Sequence, residues 1–334
     1  MRFLHSKTLE FHEFPNHKEI EYAILSHTWG DEEILFQDIS GFTIPTTPPT
    51  IKQKSGYKKI EACCAQADSD GFEYVWIDTC CIDKRSSAEL SEAINSMYQW
   101  YRDCIVCYAY LTDVTNDLEA EAQRDKFKAS RWFTRGWTLQ ELIAPHVLEF
   151  YGNQWYTQGQ KASLGTKLSL RNEISDITDI PLPVLKNAQD LNRRSIAQKM
   201  SWAASRITTR IEDRAYCLMG LFDVHMPLLY GEGDRSFVRL QEEIMNISDD
   251  ETIFAWMPNE EDGYIQGLIA NSPAYFKNSG NMLTDRKEGS QRTTPITVTS
   301  FGLGLELFLP ETLRILDAAQ LDKHPRKSAW ISAD

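Results

Sequence analysis

Apolar positions along the chain fall into two alternating patterns. Tyr22-Ala23-Ile24-Leu25-Ser26, Tyr74-Val75-Trp76-Ile77, Ile105-Val106-Cys107-Tyr108-Ala109-Tyr110-Leu111 and Val147-Leu148-Glu149-Phe150-Tyr151 are short, nearly continuous apolar runs. Such runs suit strands covered on both faces. Between them lie stretches of helical period. In Gly56 to Ser69, Ile60, Cys63, Cys64 and Ala67 stand at i, i+3, i+4 and i+7. Ser86-Ser87-Ala88-Glu89 has the form of a capping box and opens a helix whose stripe is Leu90, Ile94, Met97, Tyr98 and Tyr101. Gly136 to Ala144 reads as a further helix, stopped by Pro145. Residues 1 to 26 read as a hairpin leading into the first buried strand, and the acidic stretch from Thr112 to Arg124 as a loop. Strands alternating with helices predict an α/β domain with a parallel, flavodoxin-like sheet flanked by helices.

The pattern changes near Ser163. Asn192 to Ile207 carries Ile196, Met200, Ala204 and Ile207 on one helical face, and Thr209-x-x-Glu212 opens a second helix over Asp213 to Phe222. Gly231-Glu232-Gly233 reads as a turn, after which Asp234 caps a helix bearing Phe237, Leu240 and Ile244. Beyond Asp249 the signals become β-like, in Thr252-Ile253-Phe254-Ala255-Trp256 and in the alternating run from Ile296 to Leu309. The expected organisation is an α/β domain over 1–160, a helical extension packed on it over 161–250, and a small β-rich region over 251–334.

Charge narrows the classes of partner. The 334 residues carry 35 Lys and Arg against 48 Asp and Glu, a formal net charge of −13. No basic patch offsets it, so nucleic acid is not expected as a partner. No apolar run reaches the length of a membrane span. The first fourteen residues hold Arg2, His5, Lys7, Glu10 and Glu13 rather than a signal-peptide core, and the expectation is a cytoplasmic protein. The seven cysteines, Cys63, Cys64, Cys80, Cys81, Cys104, Cys107 and Cys217, lack a second pair at metal-ligand spacing. They read as small buried apolar residues, with no metal site.

Parallel sheets collect ligands at the carboxyl ends of their strands. Three polar clusters stand there: Ser26-His27-Thr28-Trp29-Gly30, Asp78-Thr79, and the segment Trp132 to Glu141. In the third, Trp137 and Glu141 are four apart and share a helix face. A carboxyl beside an indole is partly desolvated, which raises its pKa, and the indole offers a stacking surface. The plainer alternatives are Trp137 as core with Glu141 pairing Arg135 or Arg131 at the surface, His27 as a turn histidine, and Asp78 as a turn cap.

Three blocks also resemble a known family. YAILSHTWGDEEILFQDI, YVWIDTCCIDKRSSAELSEAINSMYQWYRDC and SRWFTRGWTLQELIAP resemble the signature blocks of fungal heterokaryon incompatibility (HET) domains. RIEDRAYCLMGLFDVHMPLLYGEGDRSFVRLQEEI resembles the region that follows that domain. The family is regarded as distantly similar to TIR domains, so the resemblance implies a TIR-like sheet over 1–160. It further implies an effector of vegetative incompatibility and programmed cell death. In enzymatic TIR domains a glutamate, often closing a Trp-x-x-x-Glu motif, cleaves NAD to nicotinamide and an ADP-ribose product. Carried over, Glu141 is the catalytic residue, and Ser26, His27, Trp29, Asp78, Arg135 and Trp137 are the substrate-binding set. NAD is then a substrate, with no cofactor. Two readings stay open on this ground: an NAD glycohydrolase, and a non-catalytic module that signals by self-association. A sensor or allorecognition partner is expected in either.

Overall fold

A computed structural model of the chain describes residues 1–42, 46–116, 120–157, 160–258 and 267–283, together with the short segments 297–299 and 302–304. Seven of its strands form one sheet: β1 (Arg2–His5), β2 (Phe11–Glu13), β3 (Tyr22–His27), β4 (Tyr74–Trp76), β5 (Val106–Tyr110), β6 (Leu148–Thr157) and β7 (Gln160–Thr166). Their spatial order is β2-β1-β4-β3-β5-β6-β7. The four central strands run parallel, in register Tyr22↔Tyr74, Ser26↔Ala109 and Tyr110↔Tyr151. β1, β2 and β7 add antiparallel edges. The α/β expectation therefore holds, with hairpins at both margins of the parallel centre.

All six residues of β3 are buried, as a strand covered on both faces requires. Alternation then divides its side chains. Tyr22, Ile24 and Ser26 share one face with Trp76, whose ring meets Trp100 of the helix Ser87–Asp103 at 5.4 Å. The Tyr22 hydroxyl donates to the Trp100 carbonyl on that side. His27 faces the other way, towards Lys59 of the helix Ser55–Ser69. All seven cysteines are buried.

Several expected elements are shorter or different. The helix expected over Asn192 to Ile207 is confined to Ile196–Ser201, because the capping box falls at Ser195 with Gln198. Asp213 to Phe222 forms two single-turn helices rather than one, Asp213–Tyr216 and Met219–Phe222. Ala120–Lys128 is helical where a loop was expected. Thr252 to Trp256 is not a strand but a 3-10 turn, Glu251–Phe254. There the Asp250 carboxylate caps the Thr252 N–H at 3.0 Å and the Ile196 N–H at 2.9 Å. In the C-terminal part, Thr297–Thr299 and Gly302–Gly304 pair as a small hairpin, and the rest of the run expected from Ile296 to Leu309 lies outside the described residues. Among the described residues no helix is long and apolar enough to cross a membrane.

Candidate functional site

A cleft of about 360 Å³ opens at the carboxyl ends of β3 and β4. Its near wall comes from the β3 exit (His27, Thr28, Trp29), the β4 exit (Asp78, Ile82, Lys84), the helix Ser87–Asp103 (Leu90, Ile94, Met97) and the segment Arg135 to Glu141. Its far wall comes from Thr209, Arg210, Asp213 and Tyr230. The structure thus gathers His27, Trp29, Asp78, Arg135, Trp137 and Glu141 around one space, although they are spread over more than a hundred positions of the chain. Ser26 is the exception among the residues singled out from the sequence. Strand alternation turns it into the protein, fully buried, where it reaches Glu141 from behind rather than facing the cleft.

Glu141 lies in the helix Thr138–Ile143, which Trp137 starts at its N-cap. Its residue is only 6% exposed, so it makes no surface pair with either arginine. Arg131 instead donates to the Trp29 carbonyl at 2.6 Å, and Arg135 to the Thr209 hydroxyl at 3.0 Å. The Glu141 carboxylate accepts from Ser26 Oγ, and Ser26 Oγ accepts from the Trp132 indole N–H at 2.9 Å. Burial pushes the Glu141 carboxyl up to about 8, and the negative charge of Asp78 adds to the rise. The Ser26 bond and the positive charges of Arg206 and Arg135 act against it. The group is therefore a dry carboxyl that keeps its proton near neutral pH.

Asp78 is its opposite. Burial disfavours its charge, but Lys84, His27 and the Trp29 indole outweigh burial and hold it well below the usual carboxylate range. Its two oxygens take separate donors, His27 Nε2 at 3.0 Å and Trp29 Nε1 at 2.8 Å. Two carboxyls in one wall are thus driven apart in protonation, the condition under which acid and anion roles separate.

Behind His27 stands a pair that the sequence reading did not single out. Lys59 donates to His27 Nδ1 at 2.8 Å and to both oxygens of Glu33, at 2.6 and 2.7 Å. Glu33 also accepts from the Gly30 N–H at 2.8 Å, which pins the loop carrying Trp29. Lys84 and the far wall were missed as well. Asp213 receives hydrogen bonds from Trp137 and from the Tyr230 hydroxyl, the latter at 3.0 Å, and burial raises its pKa. Arg210 lies over the Tyr230 ring, 4.5 Å from its centroid. The wall is tied to the sheet domain where Ile207 pairs with Arg135, its N–H donating to the Thr134 carbonyl at 2.7 Å and its carbonyl accepting from Gly136 at 2.9 Å.

Against known proteins, residues 22–128 match the family model described as Heterokaryon incompatibility protein (HET). The chain is therefore a HET-domain protein. It is 47% identical over 273 residues to Vegetative incompatibility protein HET-E-1 of Podospora anserina, a match covering 79% of this chain and 18% of that protein. The chain thus spans less than a fifth of the length of that relative. A match of 79% must include the middle of the chain wherever it starts, and so takes in the far wall from Thr209 to Tyr230. No solved structure matches the chain.

Proposed function

We propose that this chain is an effector of vegetative incompatibility that acts by TIR-like cleavage of NAD to nicotinamide and ADP-ribose at Glu141. The observation that carries the chemistry is a carboxyl held dry in the wall of a cleft lined by aromatic and cationic side chains. The identity to a vegetative incompatibility protein supports the biological setting.

The reaction breaks the bond between ribose C1′ and the pyridinium nitrogen. The bonding electron pair leaves with nicotinamide, which becomes neutral, and the ribose passes through an oxocarbenium-like state. Water adds at C1′ and gives up a proton. A carboxylate close to that carbon stabilises the positive charge more in the transition state than before it, and a dry site strengthens the effect. The cationic substrate itself favours ionised Glu141, so binding drives the proton off the group. The Ser26 O–H then supports the charged form from behind. Trp137 and Trp29 flank the space as stacking surfaces, and Arg135 adds positive charge for the phosphates.

The test is nicotinamide release from NAD by the purified chain. Release by wild type and its loss in Glu141→Gln supports the reading. Equal release by both overturns it, as does release by neither together with cell killing that Glu141→Gln retains at normal abundance; the latter points to signalling by self-association.

A further inference from the structure

Lys84 stands apart from the other charged groups of the cleft. Asp78 is held by His27 and Trp29, Asp213 by Trp137 and Tyr230, and Arg135 by Thr209. Among the described residues the Lys84 ammonium has no hydrogen-bond partner, and it is out of contact with solvent. It rests on the indole of Trp29, 3.4 Å from the ring centroid. Burial pulls its pKa down against the attraction of Asp78.

We propose that Lys84 is the phosphate-recognition residue of this cleft: a phosphate-bearing ligand draws the ammonium off the Trp29 ring, pairs with it, and frees that ring face for the ligand's own flat ring. The inference rests on the reading of the cleft as a nucleotide site.

An ammonium on an indole has given up its water for one quadrupole contact, and three N–H donors go unused. A phosphate oxygen offers opposite charge and hydrogen bonds together, so the exchange favours the ligand. A flexible stem ending in a compact charge suits such a swing better than a rigid guanidinium does. Asp78 keeps two neutral donors, the His27 and Trp29 N–H groups, when Lys84 leaves. Trp29 keeps its orientation too, because its indole N–H stays on Asp78 and its carbonyl stays on Arg131. Occupied Trp29 and unpaired Lys84 are therefore two halves of one resting state.

The experiment is titration calorimetry of the full chain with ADP-ribose and, separately, with adenosine, for wild type, Lys84→Met and Lys84→Arg. The expected result is ADP-ribose binding weakened about tenfold or more by Lys84→Met and less by Lys84→Arg, with adenosine affinity unchanged. Equal ADP-ribose affinity in wild type and Lys84→Met overturns the role of Lys84 and leaves the nucleotide reading standing. Equal losses of ADP-ribose and adenosine overturn it also, since the defect is then not at the phosphate. A wild type that binds no ADP-ribose removes the nucleotide reading and this inference with it. Should Lys84→Met not fold, Lys84→Gln removes the charge, keeps a polar end and takes its place in the same comparison.

Discussion

Lys59 donates its ammonium to Nδ1 of His27 at 2.8 Å, from a helix on the opposite face of the sheet to Glu141. A lysine ammonium can only donate, so Nδ1 is the accepting nitrogen and Nε2 carries the proton that goes to Asp78. Both ring nitrogens are thereby engaged. His27 is a fixed strut between Lys59 and Asp78.

Removal of Lys59 leaves the Glu33 carboxylate, whose side chain is 8% exposed, without its cation. Lys59→Met is expected to destabilise the fold by about 3 kcal/mol, as for one partner lost from a buried pair. Glu33→Gln combined with Lys59→Met is expected to recover much of that loss. Urea denaturation of the two single variants and the double variant measures the coupling.

The Glu141 carboxyl implies a stability slope of definite sign. Its ordinary pKa of 4.5 is raised to about 8 in the folded chain. Between those values the unfolded chain has lost the proton and the folded chain still holds it, so stability falls as pH rises through the window and levels off above it. Glu141→Gln has no such proton. Its stability relative to wild type is expected to grow across the window by on the order of a few kcal/mol. Lys167 and Arg206, lowered by burial to about 8 and about 10, act above the window and with the opposite sign. Chemical denaturation of both proteins at the two ends of the window decides; a constant difference refutes the shift.

Much of this arrangement was legible in the chain. Near-continuous apolar runs at Tyr22 and Ile105 can hardly be anything but strands covered on both faces, and parallel strands must bring their carboxyl ends to one edge. That puts His27 and Asp78 on one edge, and they meet there because β3 and β4 are neighbours in the sheet. Lys59 carried a signal that went unread: it precedes Cys63 by four, on the buried stripe of its helix. Arg210 and Tyr230 carried none, because the packing of a later segment against an earlier one leaves no local period. The segment Thr252 to Trp256 misled because its apolar and β-branched residues favour a strand, while the long-range cap from Asp250 overrides that preference. Ala120–Lys128 was obscured by polarity, with Phe127 its buried apolar anchor.

Gly136 joins the two walls of the cleft. Its N–H donates to the Ile207 carbonyl, and a Cβ at this position meets Thr208 Cγ2 at 2.5 Å and Cys217 Sγ at 3.2 Å. The β-branched threonine has little rotamer freedom to yield. Gly136→Ala is expected to cost about 1–3 kcal/mol and to push the Thr208–Arg210 segment away from Trp137. Thermal unfolding reads the first effect, and proteolytic sensitivity near Arg210 the second; wild-type behaviour in both contradicts the tight approach.

Ser26 acts on the cleft without reaching it. Ser26→Ala removes the O–H that supports ionised Glu141 and strands the Trp132 indole N–H, which is fully buried. The unpaired donor is expected to cost about 1–3 kcal/mol. The same change lets the Glu141 pKa rise further, since the Ser26 bond opposes the rise in wild type. In the proposed reaction, which needs the carboxylate, the ascending limb of nicotinamide release against pH then moves to higher pH. Loss of stability alone lowers the amount of folded protein, and release divided by the folded fraction at each pH then leaves that limb in place. A pH–rate profile of Ser26→Ala beside wild type therefore separates a positioning role from a merely structural one.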